Sequence, residues 1–584
     1  MRNNLKEAAK HYIMLAKMLE EKERNMVNMI INLEKKPCSM ELGQTILDMV
    51  NANGLGGTDL TDRPLAARIG GEIFNLAYTP MHEMDIDLIY YHDEEGARVY
   101  ERTLQFVLIM CMRKLFPNAK VFVRYSLGDG VYMTVDKKPA FTEADLLLLK
   151  SEMKRVISLD LKLQRKRMSI SDALAFYERD GQFDKAALLK WRRISYFDVY
   201  RCTEYSDYID YFYGETAPST GYVPLFDLHF TGTGIVMLRP RRDDPLAPIV
   251  YVDSPKMVEV FKRSDDWGRI MTCSTANELN TRVENGTVRE LIRVNEALHE
   301  KMFAKTADEI IARGAKTVML AGPSSSGKTT SANRIATQLR AEGLDPIMIS
   351  LDNYYCDRKY CPRDENGELD FEHLNALDIE RFNRDLKLLM AGEEVETPIF
   401  DFIEQKPKEH GHVMRCGKDQ VMIIEGIHGL NPLLLGNEID HDKVFKVYVS
   451  ALTTINLDDH NRVRTTDLRI LRRLVRDFVT RGASMERTLS MWASVRRGEA
   501  KWIFPYQEQA DVILNTVLHY EPAIMKHRVY PLLLTVEPES EYYCMARSIV
   551  KYLNYFLEAN VEDEIPPTSI LREFIGGNSF YSNY

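Results

Sequence analysis

The chain has 584 residues, too many for a single hydrophobic core, so about three or four domains are expected. Hydrophobic residues make up 45% and charged residues 28%, the balance of an ordinary globular protein, and the 76 basic against 86 acidic residues exclude a surface built throughout for nucleic acid. The longest apolar runs, such as 106–112, fall far short of the roughly 18 residues that cross a bilayer, so no membrane partner is expected. The start, MRNNLKEAAKHYIML, has no apolar core followed by a small-residue cleavage site, and the eight cysteines are scattered without a C-x-x-C pair. Reduced thiols and a cytoplasmic protein without a secretory signal are the expectation.

In chain order, residues 1–27 predict a charged helix. From 28 to about 93, short alternating strands are broken by turn clusters at NANGLGG (51–57) and IGGE (69–72). ERTLQFVLIMCMRKLF (101–116) carries helical apolar spacing, and KVFVRYSLGDGVYMTV (120–135) predicts two strands around the Gly128–Gly130 turn. A helix fits 143–161 and a strand pair fits 224–238. RPRRDDPLAP (239–248) is a linker candidate, and 241–313 forms a mostly helical connection. From 314 to 520 apolar strands alternate with amphipathic helices, which implies an α/β domain with a parallel sheet covered on both faces. The remainder, 521–584, predicts a peripheral helical segment.

The strongest chemical signal is Gly322-Pro-Ser324-Ser325-Ser326-Gly327-Lys328-Thr329, which fits G-x-x-x-x-G-K-[ST] between a strand and a helix. Glycines let successive N–H groups turn inward around phosphates, Lys328 reaches the β- and γ-phosphates, and the Thr329 hydroxyl ligates Mg²⁺. Thr330 completes the nucleotide-binding stretch, so ATP and Mg²⁺ are the expected cofactors. Asp352 ends the next strand and is placed to take a proton from an attacking hydroxyl; a turn-capping role before Asn353-Tyr354-Tyr355 is the alternative. Glu425 ends the apolar strand VMIIE and is the second metal-ligand candidate, because a carboxylate buried there unpaired is costly. Arg469, Arg472, Arg473 and Arg476 share one helical face, with Leu471, Leu474, Val475 and Phe478 opposite. With Arg462, Arg464 and Arg481 they predict either a solvated basic face or a lid over the phosphates.

Residues 316–520 resemble the uridine kinase and phosphoribulokinase-like branch of P-loop kinases, through GPSSSGKTT, SLDNYY, LDFEHLNALD (369–378), TPIFDF (397–402), IIEGIHGL (423–430), LRRLVRDFVTRG (471–482) and QADVIL (509–514). The resemblance implies a phosphotransferase with an alcohol acceptor, making a nucleoside 5′-monophosphate from uridine or cytidine. By it, Asp352 is the general base and Glu425 supports Mg²⁺. Glu372 holds the ribose, Arg473 approaches the acceptor, and Arg476 and Arg481 act on the ATP phosphates. Tyr354 joins the substrate-binding set. Phe400 and Gln405 stand where the family reads the pyrimidine with a tyrosine and a histidine, and Ala483 and Met491 replace a later arginine and glutamine. These departures leave open an acceptor that is another hydroxylated metabolite.

The front half resembles the N-terminal region of threonyl-tRNA synthetases, which implies a β-grasp TGS domain over 28–93 and an editing-type domain over 94–240. LGQTILDMV (42–50) carries the first likeness, and 94–135 with APSTGYV (217–223) the second. The family's His-x-x-x-His and Cys-x-x-x-His positions are Arg102, Phe106, Phe212 and Thr216 here. Phenylalanine offers a metal no donor, so editing chemistry is not expected. RNA binding by this half, a nucleotide-gated RNA regulator and assembly into a homo-oligomer remain alternatives.

Overall fold

The computed structural model describes residues 28–364, 367, 369–401, 404, 406–436 and 440–580. The N-terminal helix expected over 1–27 and the base-reading candidate Gln405 lie outside them. The chain folds as two compact units. The first comprises 28–121, 133–169 and 196–251, and the second 122–132, 170–195 and 252–580. Segments 122–132 and 170–195, which the sequence reading kept within one domain over 94–240, thus belong to the second unit.

The first unit opens with a five-stranded sheet built from β1 (Asn28–Leu33), β2 (Lys36–Glu41), β3 (Ala66–Ile69), β4 (Glu72–Phe74) and β5 (Asp85–Ile89), in the order β2-β1-β5-β3-β4. β1 and β5 run parallel and the other pairings are antiparallel. Between β2 and β3 lies a helix, α1 (Ile46–Ala52), where strands alone were expected. Its start is set by Thr45 and Asp48, each side chain bonding the other's backbone N–H, and its buried face is Ile46, Met49 and Val50. α2 (Glu94–Leu115) is buried over nearly its whole length from Val99 to Met112, which explains its unbroken apolar run. The chain then forms β6 (Lys120–Leu127) and β7 (Gly130–Asp136), whose stretch 122–132 belongs to the second unit, and α3 (Glu143–Ser158), with Thr142 capping α3. Strands β8 (Gln164–Ser169), β9 (Tyr196–Arg201) and β10 (Ile209–Asp210) pair antiparallel, while β11 (Asp227–Phe230) and β12 (Gly234–Leu238) close the sheet β11-β12-β7-β6. The four former synthetase-ligand positions sit in pairs: Phe106 meets Phe212 edge-on, and Arg102 donates to the carbonyl beside Thr216, that of Glu215.

The second unit is built on a five-stranded parallel sheet. Its strands are β13 (Thr317–Ala321), β14 (Ile347–Ser350), β15 (Met422–Glu425), β16 (Val444–Ser450) and β17 (Val512–Asn515), ordered β14-β15-β13-β16-β17. β13 is the central strand and is buried at every position, as a strand covered on both faces must be. The covering helices include α4 (Lys328–Ala341) after β13 and α5 (Ile379–Met390), whose Phe382, Leu386 and Leu389 pack on Ile349, Met422 and Ile424. α6 (Thr465–Arg481) and α7 (Met485–Trp502) lie between β16 and β17, and α8 (Glu521–Leu533), α9 (Tyr543–Leu553) and α10 (Arg572–Ile575) follow. Among the described residues no helix is long and apolar enough to cross a membrane.

The loop from β16 to α6 is tied to the two early segments of this unit. Asn456 Nδ2 donates to the Val123 carbonyl (2.7 Å), the Asp459 carbonyl accepts from the Val123 N–H (2.8 Å), and Lys185 meets His460 (2.9 Å). Val123 is fully buried, so its carbonyl has no water to turn to. Asn456→Ala should therefore lower stability by about 1–3 kcal/mol, read as a lower urea midpoint of the second unit; an unchanged midpoint would show that the contact is not formed in solution.

Candidate active site

In-register pairing fixes the site's frame. Glu425 stands opposite Leu320 on one side and Ser350 on the other, so the loop after β13, the turn after β14 and the Glu425 carboxyl all emerge at the carboxyl edge of the sheet. The loop runs as a tight coil into α4, whose N-cap is Gly327 at φ +88°. A Cβ on Gly322 would fall 2.1 Å from the Val449 carbonyl oxygen, so only glycine passes there. Among the described residues the buried hydroxyls of Ser325, Ser326 and Ser331 have no hydrogen-bond partner, and Lys328 Nζ lies 3.3 Å from the Pro323 carbonyl. Donors of this kind around a helix N-terminus fit a polyphosphate.

Carboxylates crowd the other side. Ser350 donates to Glu425 Oε1 (3.0 Å), and the Thr329 hydroxyl lies 3.5 Å from the same oxygen. Burial, reinforced by the negative charge of Asp352, pushes the Glu425 carboxyl up to about 7 against the pull of Lys328. Burial likewise raises Asp352, opposed by Lys328, Arg481 and Arg476. Glu372 is pushed up to about 7 by burial and then by Glu499, with Arg473 and Lys328 pulling it down. Carboxyls held this far from their ordinary range, with a hydroxyl beside them, fit a divalent cation as a shared counter-charge.

The family model described as Phosphoribulokinase / Uridine kinase family matches residues 317–521. A uridine kinase of Staphylococcus aureus (strain JH9) is 34% identical over 205 residues, covering 33% of this chain and 84% of the relative. The chain belongs to the phosphoribulokinase / uridine kinase family. Its kinase domain is a phosphotransferase with a hydroxyl acceptor. A threonine–tRNA ligase of Desulforamulus reducens is 29% identical over 180 residues, so the chain shares 31% of its length with it and spans only 28% of that relative. The D-glycerate 3-kinase of Cryptococcus neoformans, a solved structure, is 16% identical, covers 45% of this chain and 89% of its own, and superposes with a TM-score of 0.20.

Within the kinase domain, the electrostatic neighbourhood of Asp352 brings together Lys328, Arg476 and Arg481, and that of Glu372 brings in Arg473, Lys328 and Asp352. Tyr354 is not among them. It is a core residue, edge-on to Phe382 with its hydroxyl on Asp385, and the neighbouring Tyr355 is the tyrosine facing Asp352 and Glu372. Phe400 packs against Tyr355 with ring centroids 5.6 Å apart, and Phe371 meets the same ring at 6.1 Å.

The arginine helix departs from its expected two faces. Arg469 and Arg472 are 1% and 0% exposed, buried together with Leu471, Leu474 and Val475, whereas Phe478 is 46% exposed. Arg472 forms a two-pronged pair with Glu521 (2.5 and 2.8 Å) and donates to the Thr516 carbonyl (2.8 Å), while the Thr516 hydroxyl donates to the Ser326 carbonyl (2.6 Å). Arg469 Nε donates to the Ser324 carbonyl (2.9 Å) and its guanidinium pairs with Glu499, which accepts from the Ser324 N–H (3.0 Å). These two arginines brace the outside of the loop. Arg473 instead donates to the Ser324 hydroxyl (2.8 Å), and Arg473, Arg476 and Arg481 converge on Asp477, which is 1% exposed. Arg462 lies elsewhere, on Ser126.

Asp477, Glu499, Glu521 and Tyr355 are the residues that sequence reasoning passed over. Asp477 alone had a local signal, four residues from both Arg473 and Arg481. Because Glu425 binds its proton more tightly folded than unfolded, its share of stability is full below its ordinary value of 4.5 and is lost as pH rises through about 7. Without added divalent cation, the thermal midpoint should fall between pH 5 and pH 8, and Glu425→Gln should flatten part of that fall; parallel profiles for both proteins would contradict it.

Proposed function

We propose that the protein transfers the γ-phosphoryl group of ATP to the 5′-hydroxyl of a nucleoside, with uridine or cytidine as the leading acceptors. The convergence of Lys328, Arg476 and Arg481 on Asp352 carries this reading. A base that must accept a proton while a phosphoryl group approaches has to sit among cations, both to remain ionised and to balance the transferred charge. Coils formed by 322–327 hold the donor phosphates through backbone N–H groups, with Lys328 on their outer oxygens. Thr329 and Glu425 would hold Mg²⁺, which would supply positive charge to neutralise the phosphates. Asp352 takes the proton of the acceptor hydroxyl, Glu372 and Arg473 orient the sugar, and Arg476 and Arg481 face the transferred group.

The ring wall of Tyr355, Phe371 and Phe400 supports a flat acceptor such as a nucleobase. The apolar side chain of Phe400, in place of a hydroxyl-bearing base reader, supports a second reading in which the acceptor is another hydroxylated metabolite.

Asp352→Asn should bind MgATP nearly as the parent does while turnover drops by about 10²–10⁴, measured as phosphorylated product from a panel of nucleosides, sugars and vitamin alcohols. Parent-like turnover would remove Asp352 from the mechanism. Product from a non-nucleoside acceptor alone would select the second reading.

A further inference from the structure

The C-terminal segment meets the nucleotide loop directly, and nothing in the mechanism above uses it. Glu573, on α10, accepts hydrogen bonds from the Thr330 N–H (3.2 Å) and from the Thr330 hydroxyl (2.7 Å). Asn578 Nδ2 donates to the same hydroxyl oxygen (3.2 Å). Ile570 lies over the loop glycine, its Cγ2 2.8 Å from where a Cβ on Gly327 would stand. The aromatic ring of Phe574 rests under the Arg472 guanidinium, 5.1 Å from its centre. The segment is seated firmly, since Ile570, Leu571 and Phe574 are all fully buried. Gly576 and Gly577, at φ +90° and +74°, turn the chain back so that Asn578 returns to Thr330, and the Ser579 N–H closes the loop on the Pro567 carbonyl (3.1 Å).

The Thr330 N–H is the last of the four N–H groups, from Gly327 to Thr330, that have no acceptor within α4, and there the partial positive charge of the helix and its open N–H groups attract an anion. Thr330 also follows directly on the Lys328-Thr329 pair of the phosphate-binding motif. The carboxylate brings one negative charge there, and its Oε2 takes both donors that would otherwise face a phosphate group. It is also close enough to act on Glu425.

We propose that Glu573 is an internal competitor for the phosphate position at Thr330, and that it sets how tightly the protein holds its polyphosphate donor. This rests on the reading that the loop binds ATP. The donor and the carboxylate cannot share the same N–H and hydroxyl, so binding requires the Glu573 side chain to swing away while Ile570, Leu571 and Phe574 keep the segment in place. The competition concerns phosphate and not the nucleobase or ribose, so it acts on any compact polyphosphate anion.

Calorimetric titration of the full chain with MgATP, and separately with inorganic tripolyphosphate, tests this in the parent, in Glu573→Gln and in Glu573→Asp. Glu573→Gln should bind both ligands at least about tenfold more tightly than the parent, since an uncharged amide competes poorly with phosphate for cationic surroundings. Glu573→Asp, which keeps the charge but shortens its reach, should gain less, and it serves if the glutamine variant does not fold. Equal affinities in parent and variants would overturn the proposal while leaving ATP binding intact. Weaker MgATP binding with unchanged tripolyphosphate binding would overturn it in favour of a ribose contact. Failure of every protein to bind either ligand would overturn the nucleotide reading itself, and this inference with it.

Discussion

The site depends on keeping a coil of glycines and serines rigid, and the buried Arg472–Glu521 pair helps to hold that coil from outside through its carbonyl groups. Turning N–H groups toward a ligand leaves the carbonyls facing outward, where they need donors of their own. Arg472 supplies them through Thr516, joining α6, the loop after β17 and α8 in one network at the back of the coil. A charge pair buried this completely contributes little net stability compared with an apolar packing, yet losing one partner strands the other. Its return is geometric: the loop's outer surface is saturated before any ligand arrives.

A second consequence is a division of labour along one helix. Arg469 and Arg472 face the interior and hold the loop, whereas Arg473, Arg476 and Arg481 gather on Asp477 and remain within electrostatic reach of Asp352 and Glu372. One carboxylate shared by three guanidinium groups leaves a net positive cluster. Conversely, Asp352, Glu372 and Glu425 stand close enough for each to resist ionisation by another. The site therefore holds cationic and acidic side chains in close opposition.

Much of this was legible in the sequence, and the failures have physical causes. The motif at 322–329 fixes strand, loop and helix at once because only glycine tolerates those backbone angles and approaches. Glu425 could be placed because a carboxylate at the end of an apolar strand is expensive without a role, whereas Asp352, expected at a strand end, lies in the 3₁₀ turn that follows β14. The arginine helix was misjudged because periodicity assigns charge to solvent. It is blind to Glu499 and Glu521, which lie 30 and 49 residues away from their partners and make burial of Arg469 and Arg472 tolerable. Tyr354 and Tyr355 are adjacent and chemically identical, and only the turn after β14 decides which of them enters the core. In the first unit, α1 was hidden in a run read as strands, although Thr45 and Asp48 spell out its cap.

The thread of the chain through the second unit bears on how such a protein can be rearranged by recombination. A gene fusion joined at the proline-rich stretch after β12 would look like the natural seam between a synthetase-like module and a transferase. Cutting there, however, removes 122–132 and 170–195 and with them the contacts that Val123, Lys185 and Ser126 make to Asn456, His460 and Arg462, immediately before the arginine helix. The seam visible along the sequence is therefore not a seam in the fold, because 122–132 and 170–195 belong to the same compact unit as the stretch 456–462 that leads into α6.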